Sequence, residues 1–103
     1  MNRFKRITAF EAYEKMQSVP DVIILDVRTA EEFAAGKIPG ALLLPDYLVN
    51  QRAEKILPNK DAEILVYCHS GIRSREAAYE LASLGYTNVW DFGGINAWPY
   101  ERV

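Results

Sequence analysis

Two short runs, Val22-Ile23-Ile24-Leu25 and Ile64-Leu65-Val66-Tyr67, are apolar at every position. A strand with one face in water alternates apolar and polar residues. An unbroken, β-branched run instead fits a strand covered on both faces, as in a parallel sheet between helical layers. The segments between the runs carry helix signals. Thr8 and Glu11 form a capping box, with Ala9, Ala12, Tyr13 and Met16 on one face, and Val19-Pro20 ends that helix. Thr29 and Glu32 repeat the box ahead of a short helix stopped at Gly36. Ile38-Pro39-Gly40 is a turn and Ala41 to Leu44 a further short strand; Asp46 is expected to cap a helix reaching Ile56 and stopped by Leu57-Pro58. After the second apolar run, a helix turns Ala77, Ala78, Leu81, Ala82 and Leu84 inward and closes at Gly85, and Asn88 to Phe92 is a last strand. Strands alternating with helices predict an α/β fold with a mainly parallel sheet. Ligand sites in such sheets lie beyond the carboxyl ends of the strands, and Cys68 stands at one of those ends.

Composition narrows the partners. The 103 residues are expected to form a single domain over 1–103, with half of them hydrophobic and a quarter charged. The net charge of −2 is dispersed, so no basic patch marks nucleic acid or an anionic membrane as a partner. No apolar run approaches the roughly 20 residues that span a bilayer. Met1-Asn2-Arg3-Phe4-Lys5-Arg6 is charged but leads into no apolar segment, so a secretory signal is not expected. A single cysteine excludes an internal disulfide and fits a reducing, cytoplasmic setting. A single histidine makes a conventional zinc site improbable, and neither a metal nor an organic cofactor is expected.

The chemistry concentrates in Cys68-His69-Ser70-Gly71-Ile72-Arg73-Ser74, where the chain passes from a buried strand through a tight loop to a helix. Such a loop turns backbone N–H groups inward, and the helix adds the positive end of its dipole. Gly71 permits a backbone conformation or close approach that a Cβ would hinder, and Arg73 adds a permanent charge. All of these favour an anion at Cys68 and should lower its pKa from about 8.5, giving a nucleophilic thiolate. A lone cysteine at a strand end is ordinarily a small buried hydrophobe. A Cys-x-x-Gly-x-Arg-Ser segment between a buried strand and an Ala-rich helix is hard to explain by packing alone.

These residues resemble the rhodanese family, and the match covers nearly the whole chain. Cys68 to Ser74 is similar to the family's active-site loop. Leu25-Asp26-Val27-Arg28 through Glu32-Phe33, then Gly36-Lys37-Ile38-Pro39-Gly40-Ala41, is similar to its upstream signature; Gly93-Gly94-Ile95-Asn96-Ala97-Trp98 is similar to its C-terminal one. The resemblance implies a five-stranded, mainly parallel sheet with helices on both faces. It also implies a sulfurtransferase that carries sulfane sulfur on Cys68 as a persulfide, from a small-molecule donor such as thiosulfate to a thiol or cyanide. Alternatives are a sulfur-relay module serving a thiol-bearing protein, and a phosphatase or arsenate reductase of the same fold. Cell-division-cycle phosphatases have one more residue between cysteine and arginine, whereas four lie between Cys68 and Arg73 here, which suits one sulfur atom. Lys37 departs from the histidine that many members carry there, with consequences expected only for local packing.

The loop is thus expected to bind donor through His69, Ser70, Gly71, Ile72, Arg73 and Ser74 around catalytic Cys68. His69 is either an exposed loop residue or a modulator of donor binding. Arg73 is expected to face the sulfur or to brace backbone carbonyls, and Ser74 to donate near the loop or start the helix. Arg28 is expected to pair with Glu32 or nearby backbone and fix a turn. Trp90, Phe92 and Trp98 read as core or rim packing.

Overall fold

The computed structural model describes residues 3–103. In chain order these form β1 (Lys5–Arg6), α1 (Ala9–Ser18), β2 (Ile23–Asp26), α2 (Ala30–Ala35) and β3 (Leu42–Leu43). A 3-10 turn (Asp46–Leu48), α3 (Val49–Ile56), β4 (Ile64–Cys68), α4 (Ile72–Ser83), β5 (Val89–Gly94) and a last 3-10 turn (Ile95–Ala97) follow. The sheet has five strands in the order β1-β5-β4-β2-β3, and every pairing is parallel.

The unbroken apolar runs are two of the three inner strands, β2 and β4. All five residues of β4 are buried, and their side chains alternate between two apolar layers. Ile64, Val66 and Cys68 join Leu25, Val27 and Val89 against Val49 and Ala53 of α3 and Ala77, Ala78 and Leu81 of α4. Leu65 and Tyr67 enter the opposite layer with Phe92, Trp98, Ile38 and Ala12 of α1. A side chain so buried contributes ~1.5–3 kcal/mol, which is why β4 carries no charged residue.

Both capping boxes form. The Thr8 hydroxyl accepts from the Glu11 N–H while Glu11 accepts from the Thr8 N–H, and Thr29 and Glu32 do the same for α2. The expected helix from Asp46 is different. The chain first continues along the end of β2, the Leu44 N–H donating to Asp26 at 2.9 Å and the Asp46 N–H to Val27 at 2.9 Å. It then makes a 3-10 turn, and α3 starts only at Val49 with no side-chain cap, so Asp46 caps nothing. β1 carries no apolar pattern at all: Lys5 and Arg6 are exposed, and the strand exists because its backbone pairs with Trp90 and Asp91 at the sheet edge.

At the carboxyl end of the sheet three neighbouring strands finish together. Asp26 of β2 lies opposite Tyr67, and Cys68 of β4 opposite Gly94 of β5.

Candidate functional site

Cys68 closes β4 and is buried. Only His69, Ser70 and Gly71 separate it from α4, so the expected loop is shorter than its motif: Ile72, Arg73 and Ser74 lie in the first helical turn. The turn is possible because Gly71 takes φ +105°, in the left-handed region that costs a side-chain-bearing residue ~1–2 kcal/mol. In this conformation the Gly71 N–H donates to Cys68 Sγ at 2.9 Å. The first N–H groups of α4, which have no intrahelical carbonyl, and the positive end of its dipole lie next in the chain.

Arg73 neither faces the sulfur alone nor binds carbonyls. Its Nη1 and Nη2 donate to Glu32 Oε1 and Oε2 at 2.7 and 2.9 Å, a bidentate pair linking α4 to α2. That bond is the main reason the Glu32 carboxyl is held down to about 2, with the Thr29 N–H as a smaller cause. The Arg73 guanidinium is raised by the same bond, opposed by desolvation and aided by the charges of Cys68 and Asp46. The cation is therefore oriented by Glu32 in the first turn of α4.

This reassigns Glu32. Arg28 does not pair with it. The Arg28 Nε and Nη2 donate to both oxygens of buried Asp26 at 2.7–3.1 Å, and Nη2 also to the Gly36 carbonyl at 2.7 Å. Asp26 further accepts from the Tyr67 hydroxyl at 2.6 Å, and that hydroxyl accepts from the Ile38 N–H at 3.1 Å. Burial, and then the bond to Asp26, push the Tyr67 hydroxyl upward. The trio welds β2 and β4 to the segment before β3, beneath the site, so the turn-fixing role expected of Arg28 holds with a different partner.

Ser74 is buried and donates to Asp91 Oδ1 at 2.8 Å, an oxygen that also accepts from the Gly93 N–H at 3.0 Å. Asp91 Oδ2 makes no hydrogen bond; the Arg6 Nε lies 3.6 Å away. The His69 carbonyl accepts from the Asn96 N–H at 3.1 Å, tying the loop to the turn after β5. Ser70 and Ile72 are exposed, as is His69, whose imidazole makes no hydrogen bond among the described residues. Phe92 and Trp98 are core residues, and Trp90 sits beneath the Lys15 ammonium, 4.0 Å from its ring centre. Lys37 does act locally, its ammonium 4.8 Å from the Phe33 ring centre.

Sequence reasoning missed Glu32, Asp91 and Asn96 as residues shaping the site. All three had a signal: Asp91 is the one acid in Val89-Trp90-Asp91-Phe92, Glu32 is the one carboxylate of the upstream motif beyond Asp26 and Glu31, and Asn96 stands within the C-terminal signature. A sequence does not show that a capping carboxylate can serve an arginine 41 positions away. No helix among the described residues is long and apolar enough to cross a membrane.

The model of the rhodanese-like domain matches residues 9–101. A sulfurtransferase of Allochromatium vinosum is 41% identical over 86 residues, covering 82% of this chain and 78% of that protein. The thiosulfate sulfurtransferase GlpE of Pseudomonas putida is 35% identical over 99 residues, covering 95% of this chain and 87% of its own. The crystal structure of a rhodanese-related protein from Thermoplasma volcanium superposes with a TM-score of 0.83 at 31% identity, over 97% of this chain and 98% of that one.

Proposed function

The chain belongs to the rhodanese family of sulfurtransferases, and on that premise we propose that it moves sulfane sulfur from thiosulfate to a thiol or cyanide through a persulfide on Cys68. The observation that carries this reading is the Gly71 N–H aimed at Cys68 Sγ at 2.9 Å, at the start of a twelve-residue helix.

In the first half-reaction the Cys68 thiolate attacks the outer sulfur of thiosulfate. The S–S bond of the donor breaks, its electron pair leaves with sulfite, and Cys68 holds the transferred sulfur as an anionic persulfide. In the second, a thiolate or cyanide attacks that terminal sulfur, and the electron pair of the Cys68–sulfur bond returns to Sγ. The negative charge stays at one place throughout, so fixed N–H donors and the α4 dipole stabilise it without reorganising. Arg73, oriented by Glu32, offsets the charge of an anionic donor, while His69, Ser70 and Ile72 line the approach. Ser74 holds the loop from below through Asp91. Four residues between Cys68 and Arg73 leave room for a single sulfur, which favours this chemistry over phosphate or arsenate chemistry in the same fold. Neither half-reaction calls for a metal or an organic cofactor.

Thiocyanate formation from thiosulfate and cyanide tests the reading. The wild-type protein is expected to turn over, and Cys68→Ser, with an unchanged circular dichroism spectrum, to lose the activity. Full turnover by the folded serine variant would overturn the mechanism.

A further inference from the structure

Beside the loop lies a cleft of about 520 Å³. His69, adjacent to Cys68, forms one wall, and Glu32, the partner of Arg73, another. Ala35, Ile95 and Val103 make its apolar surface. The far side is built by residues 102 and 103, folded back so that Val103 and Lys37 exchange backbone hydrogen bonds at 2.8 and 2.9 Å. The volume lies within the range of small-ligand sites and far exceeds what a single transferred sulfur needs.

The charges around it are unequal. Arg28 is neutralised by Asp26, and Glu32 by Arg73. Arg102 also lines the cleft, is exposed, and has no carboxylate partner among the described residues. Both of its hydrogen bonds leave from Nη2, to the carbonyls of Ile95 at 2.7 Å and Trp98 at 3.0 Å. Those bonds fix the guanidinium and leave the Nε and Nη1 donors unused, each able to give a single charge-assisted hydrogen bond to an anion.

Resting on the sulfur-transfer reading, we propose that this cleft is the acceptor subsite and that it selects small organic thiols bearing a carboxylate, held by Arg102. Electrostatics supplies the reason. In the second half-reaction an acceptor thiolate must approach an anionic persulfide, so two negative charges converge. Arg73 shares its charge with Glu32, and a further cation on the acceptor side, Arg102, lowers that repulsion. The thiolate attacks the terminal sulfur of Cys68–S–S⁻, the S–S bond breaks toward Sγ, and the acceptor leaves as its own persulfide. One thiolate and one persulfide enter, and one of each leaves.

The test uses the whole chain, thiosulfate as donor, and two acceptors: mercaptosuccinate, which is anionic, and neutral 2-mercaptoethanol. Taking the ratio of variant to wild-type KM for each acceptor cancels the intrinsic reactivity of the thiols. Arg102→Gln is expected to raise KM for mercaptosuccinate roughly three- to fivefold, the size of an exposed charge contact, and to move that for 2-mercaptoethanol by less than about twofold. Arg102→Lys, which keeps the charge, should stay within about twofold of wild type for both. Equal ratios for the two thiols, or a lysine variant as defective as glutamine, would overturn the subsite while leaving persulfide formation intact. A wild-type protein that takes no sulfur from thiosulfate would overturn the sulfur-transfer reading and the subsite with it.

Discussion

Gly94 lies opposite Cys68 in the β4–β5 pairing, and the glycine there is a condition of the site. A Cβ at this position would overlap the His69 carbonyl oxygen, lie 2.7 Å from its carbon, and lie 2.6 Å from Asn96 Oδ1. Ordinary contact begins at 3.4 Å, so the His69 carbon must retreat by about 0.7 Å and its oxygen by more. The Asn96 contact is a side-chain oxygen, but both His69 contacts are backbone, and the His69 oxygen is held by the Asn96 N–H at 3.1 Å. The His69 backbone cannot yield without moving the residue next to Cys68. A misplacement near 1 Å at a reacting centre costs up to ~10²-fold in rate, and overpacking costs ~1–3 kcal/mol. Gly94→Ala should therefore lower kcat for thiocyanate formation by ~30–100-fold, well beyond what its loss of stability explains. Gly93→Ala is the matched control. Its Cβ meets nothing within 4 Å, but its φ of +94° makes a side chain strained, at ~1–2 kcal/mol. It should melt lower yet keep kcat within about threefold, since the strain leaves His69 in place. Melting curves by circular dichroism and steady-state kinetics on the same samples separate the two. A folded Gly94→Ala protein with native kcat would refute the close-approach reasoning, as would a Gly93→Ala protein equally inactive.

Arg28→Ala leaves buried Asp26 with no cation, which costs ~3–5 kcal/mol and should lower the melting temperature by more than about 10 °C while kcat of the folded fraction stays near native; a native melt with a collapsed kcat would assign Arg28 to the chemistry. Glu32→Gln keeps a capping side chain but loses the ion pair with Arg73, worth about 1 kcal/mol because both partners are a third exposed. Since the Glu32 carboxyl is depressed from 4.5 to about 2, its contribution is complete above pH 4.5 and lost as pH falls toward 2. The stability gap between wild type and Glu32→Gln in urea melts should therefore close across that window, and a gap that widens on acidification would contradict the pair. Ser74→Ala leaves Asp91 Oδ1 with the Gly93 N–H alone and should cost ~1–3 kcal/mol, read as a lower urea midpoint; an unchanged midpoint would mean that Ser74 does not hold the loop.

Much of the fold is legible because burial writes itself into composition. Val22 to Leu25 and Ile64 to Tyr67 can be apolar at every position only in covered strands, and Thr8-Glu11 and Thr29-Glu32 mark helix starts by local bonding. What is not legible depends on partners distant in the chain. β1 is two exposed cations held by the backbone of β5, and the Asp46 segment is drawn along β2 by Leu44 and Asp46 N–H bonds instead of folding at once into a helix. In the site, the Cys68 loop and its glycine follow from the motif because they are contiguous. The exchange of partners, Arg28 to Asp26 and Glu32 to Arg73, does not, since either arginine is a chemically adequate partner for either acid and only the fold brings the right pair together.

The sulfur carried on Cys68 can be weighed directly. Intact-mass measurement of the wild-type protein after incubation with thiosulfate and removal of small molecules should show a gain of about 32 Da, one sulfur, that disappears on adding cyanide. The same treatment of Cys68→Ser should leave the mass unchanged. No gain on the wild-type protein, or a gain that persists in the serine variant, would contradict a persulfide on Cys68.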